Sequence, residues 1–372
     1  MQSIQVNNRI QSLDITRGII MILMALDHCR YFMHDSNINP ENLQKTTAIL
    51  FFTRWITHFC APGFIFFVGI AARLYSHKKG ISSTSSFLAG RGLLCILLEL
   101  TLFRFAWDGS LTSPSISLLV IWAIGMSMLF LALAIKIKNL SFLFALSVLV
   151  IAGHNLLDGI QYNPEHLSGK IWIFLHAPDG FNLTDKIYVF VLYSLLPYFG
   201  IVLLGWCTGY IFFPESDLQK RRKILLYAGL SFTIIFIILR YFNLYGDPNP
   251  WSPQQNTLYS ILSFVKTTKY PTSLLYILMT LGPILLLLWI MDNKQLRLLQ
   301  PLLEIGQVPM FFYIMHLFVI RLITIAGGGF HTYSLTGVYA GWLLTIIILY
   351  FLCRYYRKYK FKHKEKGWLK YI

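Results

Sequence analysis

The sequence is poor in charged residues, and this lack indicates its class. Only 13% of the 372 residues are Asp, Glu, Lys or Arg, whereas 56% are hydrophobic. Soluble domains carry about twice this share of charge, because charged side chains cover their surface. The composition therefore excludes a cytosolic enzyme, a secreted module and a disordered chain, and it favours an integral membrane protein.

Cysteine is scarce, and several motifs of known chemistry are missing. The five cysteines have no C-x-x-C spacing, so neither a disulfide framework nor a cysteine zinc site is expected. No glycine-rich loop precedes Lys-Ser or Lys-Thr, which argues against an ATP-driven pump, and no H-E-x-x-H indicates a zinc protease. The segment HNLLD (154–158) is one residue too short for the H-x4-D of glycerolipid acyltransferases. We therefore expect neither a metal site nor a permanently bound cofactor.

Ten apolar segments are long enough to be membrane-spanning helices. Each approaches the ~20 residues that cross the hydrocarbon core. Helices are expected because lipid offers no partner for an open backbone, and the segments lack the alternation of a β-barrel. The sequence thus predicts an all-α membrane protein with about ten transmembrane helices. The segments are 13–33, 56–76, 86–107, 116–136, 140–157, 188–212, 222–243, 271–291, 306–326 and 335–355.

The net charge of +16 reflects basic residues that concentrate on one side of the predicted membrane. This positive-inside bias predicts that both chain ends are cytoplasmic. A single membrane domain (1–355) would be followed by a basic tail (356–372) that lies against anionic lipid, and nucleic acid is not an expected partner. The inner loops hold Arg9, Lys78, Lys79, Lys136, Lys138, Lys220, Arg221, Arg222, Lys223, Lys294 and Arg297, and the outer loops hold Arg30, Lys45, Arg54, Lys170, Lys186, Lys266 and Lys269.

The first predicted span carries ionisable residues along one face. Such groups cost several kcal/mol in lipid, so they face the bundle interior or water. Arg17 and His28 are eleven residues apart, which places them on the same side of a helix, ~16 Å from each other. Asp14 lies on that face and is spaced to pair with Arg17. A line of polar groups is therefore expected along this helix.

Other ionisable residues concentrate in the outer half of the predicted bundle. As a set they predict a polar cavity that opens outward, with the first span connecting it inward. For any one of them, a structural ion pair is an equal alternative. They are Asp27, His58, Glu99, Arg104, His154, Asp158, Arg240, Lys266, Lys269, His316 and Arg321.

The segment LDITRGIIMILMALDH (13–28) resembles the first helix of a superfamily of multispan acyltransferases. That superfamily joins the acyltransferase type 3 family to heparan-alpha-glucosaminide N-acetyltransferase. Its signature is an Arg, ten residues and a His, and Arg17 and His28 match this spacing. Four more segments resemble the N-acetyltransferase-like bacterial membrane proteins of the group: THFCAPGFIFFVGIAARL (57–74), RGLLCILLELTLFRF (91–105), TKYPTSLLYILMTLGP (268–283) and IGQVPMFFYIMHL (305–317).

The resemblance implies a reaction and a location. The lysosomal relative takes acetyl from cytosolic acetyl-CoA and delivers it across the membrane to a sugar amine, using a histidine. That histidine corresponds to His28 or, because loop lengths after the first helix differ, to His34. The resemblance thus implies acetyl-CoA as co-substrate, a saccharide or glycolipid as acceptor, and the bacterial inner membrane as location.

Acyl transfer requires a base or nucleophile and a group that holds the phosphates of CoA. His28 is the expected general base or acyl carrier, and Asp27 or His58 would orient it or polarise the thioester. Arg17, paired with Asp14, would hold donor phosphate or keep a groove open. The residues expected to shape the acceptor side are Glu99, Arg104, His154, Asp158, Lys269, His316 and Arg321.

Two other functions fit the same pattern. Buried charges, a polar cavity and ten spans also suit a proton-coupled transporter, although the two halves of the sequence show no convincing similarity. A non-catalytic scaffold would use the buried charges for folding alone.

Overall fold

A computed structural model describes residues 10–292 and 297–371 of the chain. Arg9 and Lys294, two of the predicted inner-loop cations, lie outside these residues. The helices are α1 (Gln11–Met33), α2 (Ala48–Trp55), α3 (Cys60–Lys79), α4 (Ile81–Leu98), α5 (Arg104–Asp108), α6 (Val120–Ala134), α7 (Leu140–Gly153), α8 (Leu167–Leu175), α9 (Leu195–Thr208), α10 (Leu218–Tyr241), α11 (Thr257–Val265), α12 (Leu274–Met291), α13 (Gln300–Gly306), α14 (Pro309–Ala326) and α15 (Leu335–Lys362).

Membrane-length helices dominate the described part of the chain. Within it, eight continuous helical stretches are long and apolar enough to cross a membrane. Large apolar side chains such as Leu93, Leu149 and Phe351 are exposed on them, as lipid-facing residues should be. The protein is therefore an integral multi-pass membrane protein. The stretches are Ala48–Lys79, Ile81–Asp108, Leu140–Leu157, Leu195–Phe212, Leu218–Tyr241, Leu274–Met291, Pro309–Ala326 and Leu335–Lys362.

The remaining two predicted spans correspond to α1 and α6. Helix α1 has 23 residues and includes Asp14, Arg17, Asp27 and Arg30, so it is less apolar than an ordinary span. Helix α6 has 15 residues, which is short for a full crossing. The count of about ten spans stays a prediction for this reason.

Both ends of the described chain lie on the same side of the bundle. Lys360, near the end of α15, lines a cavity together with Arg17 of α1. Arg357 of α15 also pairs with Glu304 of α13, with 3.3 Å between Nη1 and Oε1. We call this side the terminal face, and the opposite side, which carries loops 34–47, 158–194 and 242–273, the loop face. The predicted cytoplasmic location of the terminal face stays a prediction.

A small sheet on the loop face replaces the beginnings of two predicted spans. Strand β1 (Ser115–Leu118) pairs in parallel with β3 (Ile187–Val191), which pairs antiparallel with β2 (Gly180–Thr184). The β-branched and aromatic residues of β3 suit a strand. Leu118, Val189 and Val191 are buried in a cluster with Ile173 of α8. The apolar character of 116–119 and 188–194 therefore serves a sheet and not a membrane helix.

Two helix boundaries also differ from the sequence-based bounds. The predicted span 56–76 begins earlier, at Ala48, because the Thr47 side chain accepts a hydrogen bond from the Leu50 amide. This places Arg54 in a helix and not in a loop. The last helix continues to Lys362, so the predicted boundary between the membrane domain and the tail falls inside α15.

Helix α1 lies at the centre of the bundle, and α3 supports it from one side. Helix α1 packs against α3, α12, α13, α14 and α15. Helices α3 and α9 approach each other closely at Gly69 and Gly205. A Cβ added at Gly205 would lie 2.1 Å from the backbone oxygen of Phe66. Small residues therefore set the distance between these helices, as is common in membrane bundles.

We expect Gly205→Ala to destabilise the protein by about 1–3 kcal/mol, because the added methyl group forces α9 away from α3. Thermal unfolding of the detergent-purified protein measures the loss. The matched control is Gly153→Ala, where the added Cβ would meet nothing within 4 Å. Equal unfolding temperatures for the two variants would show that the close contact is not needed.

Candidate active site

The terminal-face end of α1 is held by a charged pair that binds the neighbouring helix. The Arg17 Nη1 donates to Asp14 Oδ1 at 3.0 Å and to the backbone oxygen of Gly306 at 3.1 Å. This confirms the predicted pairing of Asp14 with Arg17. A Cβ at Gly306 would lie 1.8 Å from the backbone oxygen of Asp14, so only glycine permits α13 to approach α1 this closely. Arg17 is thereby fixed at the beginning of the helix.

A cavity of about 310 Å³ lies beside Arg17 and extends along α1. Arg17, Met21 and Met24 line it at the spacing of one helix face. Three cations, Arg17, Arg91 and Lys360, contribute to its wall, and no carboxylate does so among the residues that the structure describes. Its other lining residues include Phe64, Phe67, Tyr75, Phe87, Ile121, Ile124, Met128, Gln307, Met310 and Tyr313.

This composition combines positive charge with an apolar wall. The Arg91 guanidinium lies 5.9 Å from the Phe87 ring, and its Nε finds no hydrogen-bond partner within the described chain. A buried hydrogen-bond donor without a partner lowers the stability of the folded protein, and an anionic ligand near the Arg91 Nε would supply that partner. A second cavity of about 710 Å³, between α7, α9, α10 and α12, is lined almost wholly by apolar side chains and offers no comparable chemistry.

His28 lies one helical turn beyond the cavity and hydrogen bonds to a second histidine. Its Nδ1 is 2.6 Å from Nε2 of His316, and the two rings are stacked with centroids 4.8 Å apart. His316 Nδ1 lies 3.2 Å from the Phe312 backbone oxygen, which can only accept. In neutral rings, His316 therefore donates to Phe312, and His28 donates to His316. This assignment leaves Nε2 of His28 unprotonated.

The cavity follows α1 from Arg17 to Met24 and does not reach His28, so a continuous groove between Arg17 and His28 stays a prediction. The cavity ends at Met24 and Tyr313, which precede His28 and His316 by one turn on their helices. The Tyr313 ring contacts both His316 and Phe103, with centroids 5.1 and 5.0 Å away. Packed side chains therefore separate the cavity from the histidine pair.

Trp107 covers the other side of His28. Its ring meets the His28 ring edge-on, with centroids 4.9 Å apart, and it stacks on Phe32. Arg321 holds this region, because its Nη1 donates to the backbone oxygens of Ala106 and Trp107, each at 3.0 Å. Arg321 thus fixes the end of α5 against α14 and positions Trp107.

A chain of alternating charges lies at the loop-face end of α1. Asp27 pairs with Arg30, at 3.1 Å, and with Arg54. Arg54 also lies 3.6 Å from Glu41, which accepts a hydrogen bond from His58 Nε2 at 2.8 Å. Asp27 and His58, the predicted orienting residues, are thus bound to this network. The partner of His28 is His316 instead.

Glu41, in the loop before α2, is outside the membrane-spanning segments and strongly acidic. Burial alone would raise the pKa of the Glu41 carboxyl. The hydrogen bond from His58 and the charges of His58, Arg54 and Lys269 outweigh burial and lower this pKa to about 2. Lys269 itself is buried, with its Nζ 5.3 Å from the Tyr270 ring. Carboxylates, guanidinium groups and an ammonium group thus converge at the loop face near His28.

The other predicted acceptor-side residues have separate partners. Glu99 accepts from the Leu119 and Trp122 amides, each at 3.1 Å, and so caps the beginning of α6. Arg104 donates to the backbone of Ser113. His154 and Asp158 meet His176, away from the residues that contact His28. The geometry therefore brings His28, His316, Asp27, His58 and Lys269 to one end of α1, with Arg321 behind them.

A family model described as "Heparan-alpha-glucosaminide N-acetyltransferase, catalytic" matches residues 9–239, more than half of the chain. The chain belongs to this family. No curated protein matches it significantly. Membership confirms the resemblance recognised in the first helix and supports a transmembrane acetyltransferase-type function. His316 and Lys360, which complete the site, lie on helices beyond the matched range.

Five charged residues of this heparan-alpha-glucosaminide N-acetyltransferase-family candidate site are not predicted as site residues by the sequence: Arg30, Glu41, Arg54, Arg91 and Lys360. Its pattern places Arg30 and Arg54 in outer loops, and Glu41 lies in a loop with no recognisable pattern. Arg91 carries a usable signal, because it is a cation ten residues inside α4 and is followed by a long apolar run. The same reasoning that selects Arg17 would select it.

We expect Glu41→Gln to lower the free energy of unfolding at pH 7 by about 1–2 kcal/mol, discounted for partial exposure. The carboxylate has a lowered pKa when folded, so its stabilisation is present above pH 4.5 and is lost as the pH falls toward 2. The difference from wild type should therefore shrink on acidification. Thermal unfolding at pH 7 and pH 3 measures it.

The control for this prediction is Glu165→Gln, since Glu165 is exposed on the same face. It should unfold like wild type at both pH values. A Glu41→Gln protein that is as stable as wild type at pH 7 would contradict the proposed network around Arg54 and His58.

Proposed function

We propose that the protein transfers an acetyl group from acetyl-CoA, bound at the terminal face, to an amino sugar, saccharide or lipid-linked glycan at the loop face. The observation that carries this proposal is the cation-lined cavity that follows α1 from Arg17 to within one turn of the His28–His316 pair. The proposal takes the terminal face as cytoplasmic, in agreement with the positive-inside bias.

The cavity suits the two chemical halves of CoA. Arg17, Arg91 and Lys360 offer positive charge for its phosphates, and Arg in particular binds phosphate with two parallel hydrogen bonds. The wall formed by Met21, Met24 and neighbouring aromatic residues suits the extended pantetheine arm. The ~16 Å rise from Arg17 to His28 gives this arm a path along one helix.

The last turn would open when the donor enters. Met24 and Tyr313 stand between the cavity and the histidine pair, and Met is an unbranched side chain that changes rotamer readily. Their displacement would bring the thioester carbonyl next to His28. Until the donor enters, the same two side chains keep water and ions from crossing.

His28 would act as the base in the transfer. Its Nε2 takes a proton from the acceptor amine or hydroxyl, whose nitrogen or oxygen attacks the thioester carbonyl carbon. The new C–N or C–O bond forms, the C–S bond breaks, and the CoA thiolate leaves and takes the proton from His28. In the covalent variant, Nε2 attacks first and the acceptor then displaces the acyl group. His316 holds the required tautomer in both cases.

The charged network would receive the acceptor. Asp27, Glu41 and Arg54 present fixed donors and acceptors at the loop face, and Lys269 adds a buried cation. Sugars offer hydroxyl groups in number and suit such a surface. Arg321 and Trp107 would support the wall on the far side of His28.

We expect His28→Gln to reduce kcat for acetyl transfer by about 10²- to 10⁴-fold, the usual contribution of a general base. Inside-out vesicles that contain the protein receive labelled acetyl-CoA, and the label is followed into envelope saccharide. His34→Gln is the matched control and tests the alternative histidine. It should change turnover by less than about threefold, because the His34 ring bonds to the backbone oxygen of Asp35 in the loop that follows α1.

Wild-type turnover in His28→Gln, or its loss in His34→Gln alone, would contradict this assignment. Proton-gradient-driven uptake of unmodified solute, without consumption of acetyl-CoA, would support a transporter instead.

We expect Arg91→Met to raise the KM for acetyl-CoA about tenfold, which corresponds to one lost charge-assisted contact, and to leave kcat within a few-fold. The substitution keeps the packing against Phe87 and removes only the charge. Lys79→Met is the control, because Lys79 is an exposed cation on the same face that does not line the cavity. An unchanged KM in Arg91→Met would place the donor elsewhere.

A further inference from the structure

Two histidines and an aspartate meet on the loop face, outside the candidate active site. His154 and Asp158 follow the end of α7, and His176 follows the end of α8. One potential ligand atom from each residue lies within 4.8 Å of the others. His176 Nε2 is 2.8 Å from Asp158 Oδ1, and the rings of His154 and His176 have centroids 5.7 Å apart.

The imidazole nitrogens of this cluster are buried and largely without partners. His154 is only 2% exposed, and neither of its ring nitrogens has a hydrogen-bond partner among residues 10–292 and 297–371. His176 is also 2% exposed, and its Nδ1 has no hydrogen-bond partner among these residues either. Buried polar atoms are nearly always satisfied, and leaving one unpaired costs about 1–3 kcal/mol. A ligand between the two rings would bind one nitrogen of each ring and so remove part of this cost.

The surroundings orient the carboxylate. Asn155 donates from Nδ2 to Asp158 Oδ2 at 2.8 Å, and its own Oδ1 accepts from the Leu274 amide at 2.8 Å. The Trp172 ring lies 5.1 Å from the His176 ring. Such outer contacts fix the direction of the side chains in metal sites.

We infer that His154, Asp158 and His176 bind a divalent transition-metal ion, with Zn²⁺ as the best match. Two imidazoles and one carboxylate are a usual three-ligand set for zinc, with the fourth position left to water. Tetrahedral bonds of about 2.0–2.1 Å place ligand atoms roughly 3.3 Å apart. A movement of about 1.5 Å by one ring converts the observed spacing into this geometry.

The ion would tie the loop-face sheet to the membrane helices. His176 belongs to the segment that carries α8 and precedes β2, whereas His154 and Asp158 belong to the end of α7. Binding would therefore connect the small sheet to the bundle at a position that no disulfide secures, since all five cysteines are buried elsewhere as free thiols. This inference is independent of the proposed acetyl transfer.

The test measures metal content. Tag-free protein in detergent is stripped with a chelator, dialysed against Zn²⁺ and analysed by mass spectrometry for zinc per chain. We expect one tightly held zinc ion in wild type, and a loss of at least about tenfold in affinity in His154→Phe and in Asp158→Asn. His166→Gln is the matched control, because His166 is exposed on the same loop and should leave the stoichiometry unchanged.

Two further readouts separate a site from a structural cluster. Zn²⁺ should raise the unfolding temperature of wild type but not that of His154→Phe. Without metal, His154→Phe should be at least as stable as wild type, because the substitution removes the unsatisfied nitrogens of His154. Co²⁺ should give wild type the visible absorption bands of a tetrahedral site. The inference would be overturned by equal zinc content in His154→Phe and wild type. It would also be overturned if wild type held no stoichiometric zinc and gave no tetrahedral Co²⁺ spectrum.

Discussion

A charge inside a lipid bilayer must have a partner, and the arrangement around α1 follows from this constraint. Asp14 and Arg17 neutralise each other at one end of the helix, and Asp27 balances Arg30 and Arg54 at the other. These pairs need neighbours on every side, which explains why α1 occupies the centre of the bundle. A helix that carried such charges at the periphery would expose them to hydrocarbon.

Much of the architecture is predictable because its physical signals are local. Long apolar runs define the spans, and the helical period alone places Asp14, Arg17 and His28 on one face. The family signature in α1 strengthens this hypothesis. The helical period does not show which helices pack against each other. His316 is 288 residues from His28 in sequence, so their contact depends wholly on how the bundle assembles.

The features that the sequence does not predict are short or depend on tertiary contacts. Strand β3 resembles the start of a span, because a five-residue apolar strand and a helix turn have similar composition. Glu99 resembles a free acidic group, yet its carboxylate serves as the cap of α6, a helix whose own preceding residue, Leu119, cannot do so. The sequence around His176 does not indicate a metal ligand. Only the folded structure shows that His176 lies beside the HNLLD segment.

One helical turn of packed side chains separates the cavity from His28, and this packing affects how well the membrane retains an ion gradient. A membrane that holds an ion gradient would lose it through a continuous column of water along α1. Met24 and Tyr313, with Phe103 behind, fill the space between the cavity and the histidine pair with packed side chains. In the proposed acetyl transfer, these side chains would let the pantetheine arm pass and otherwise keep a continuous column of water from forming across the membrane.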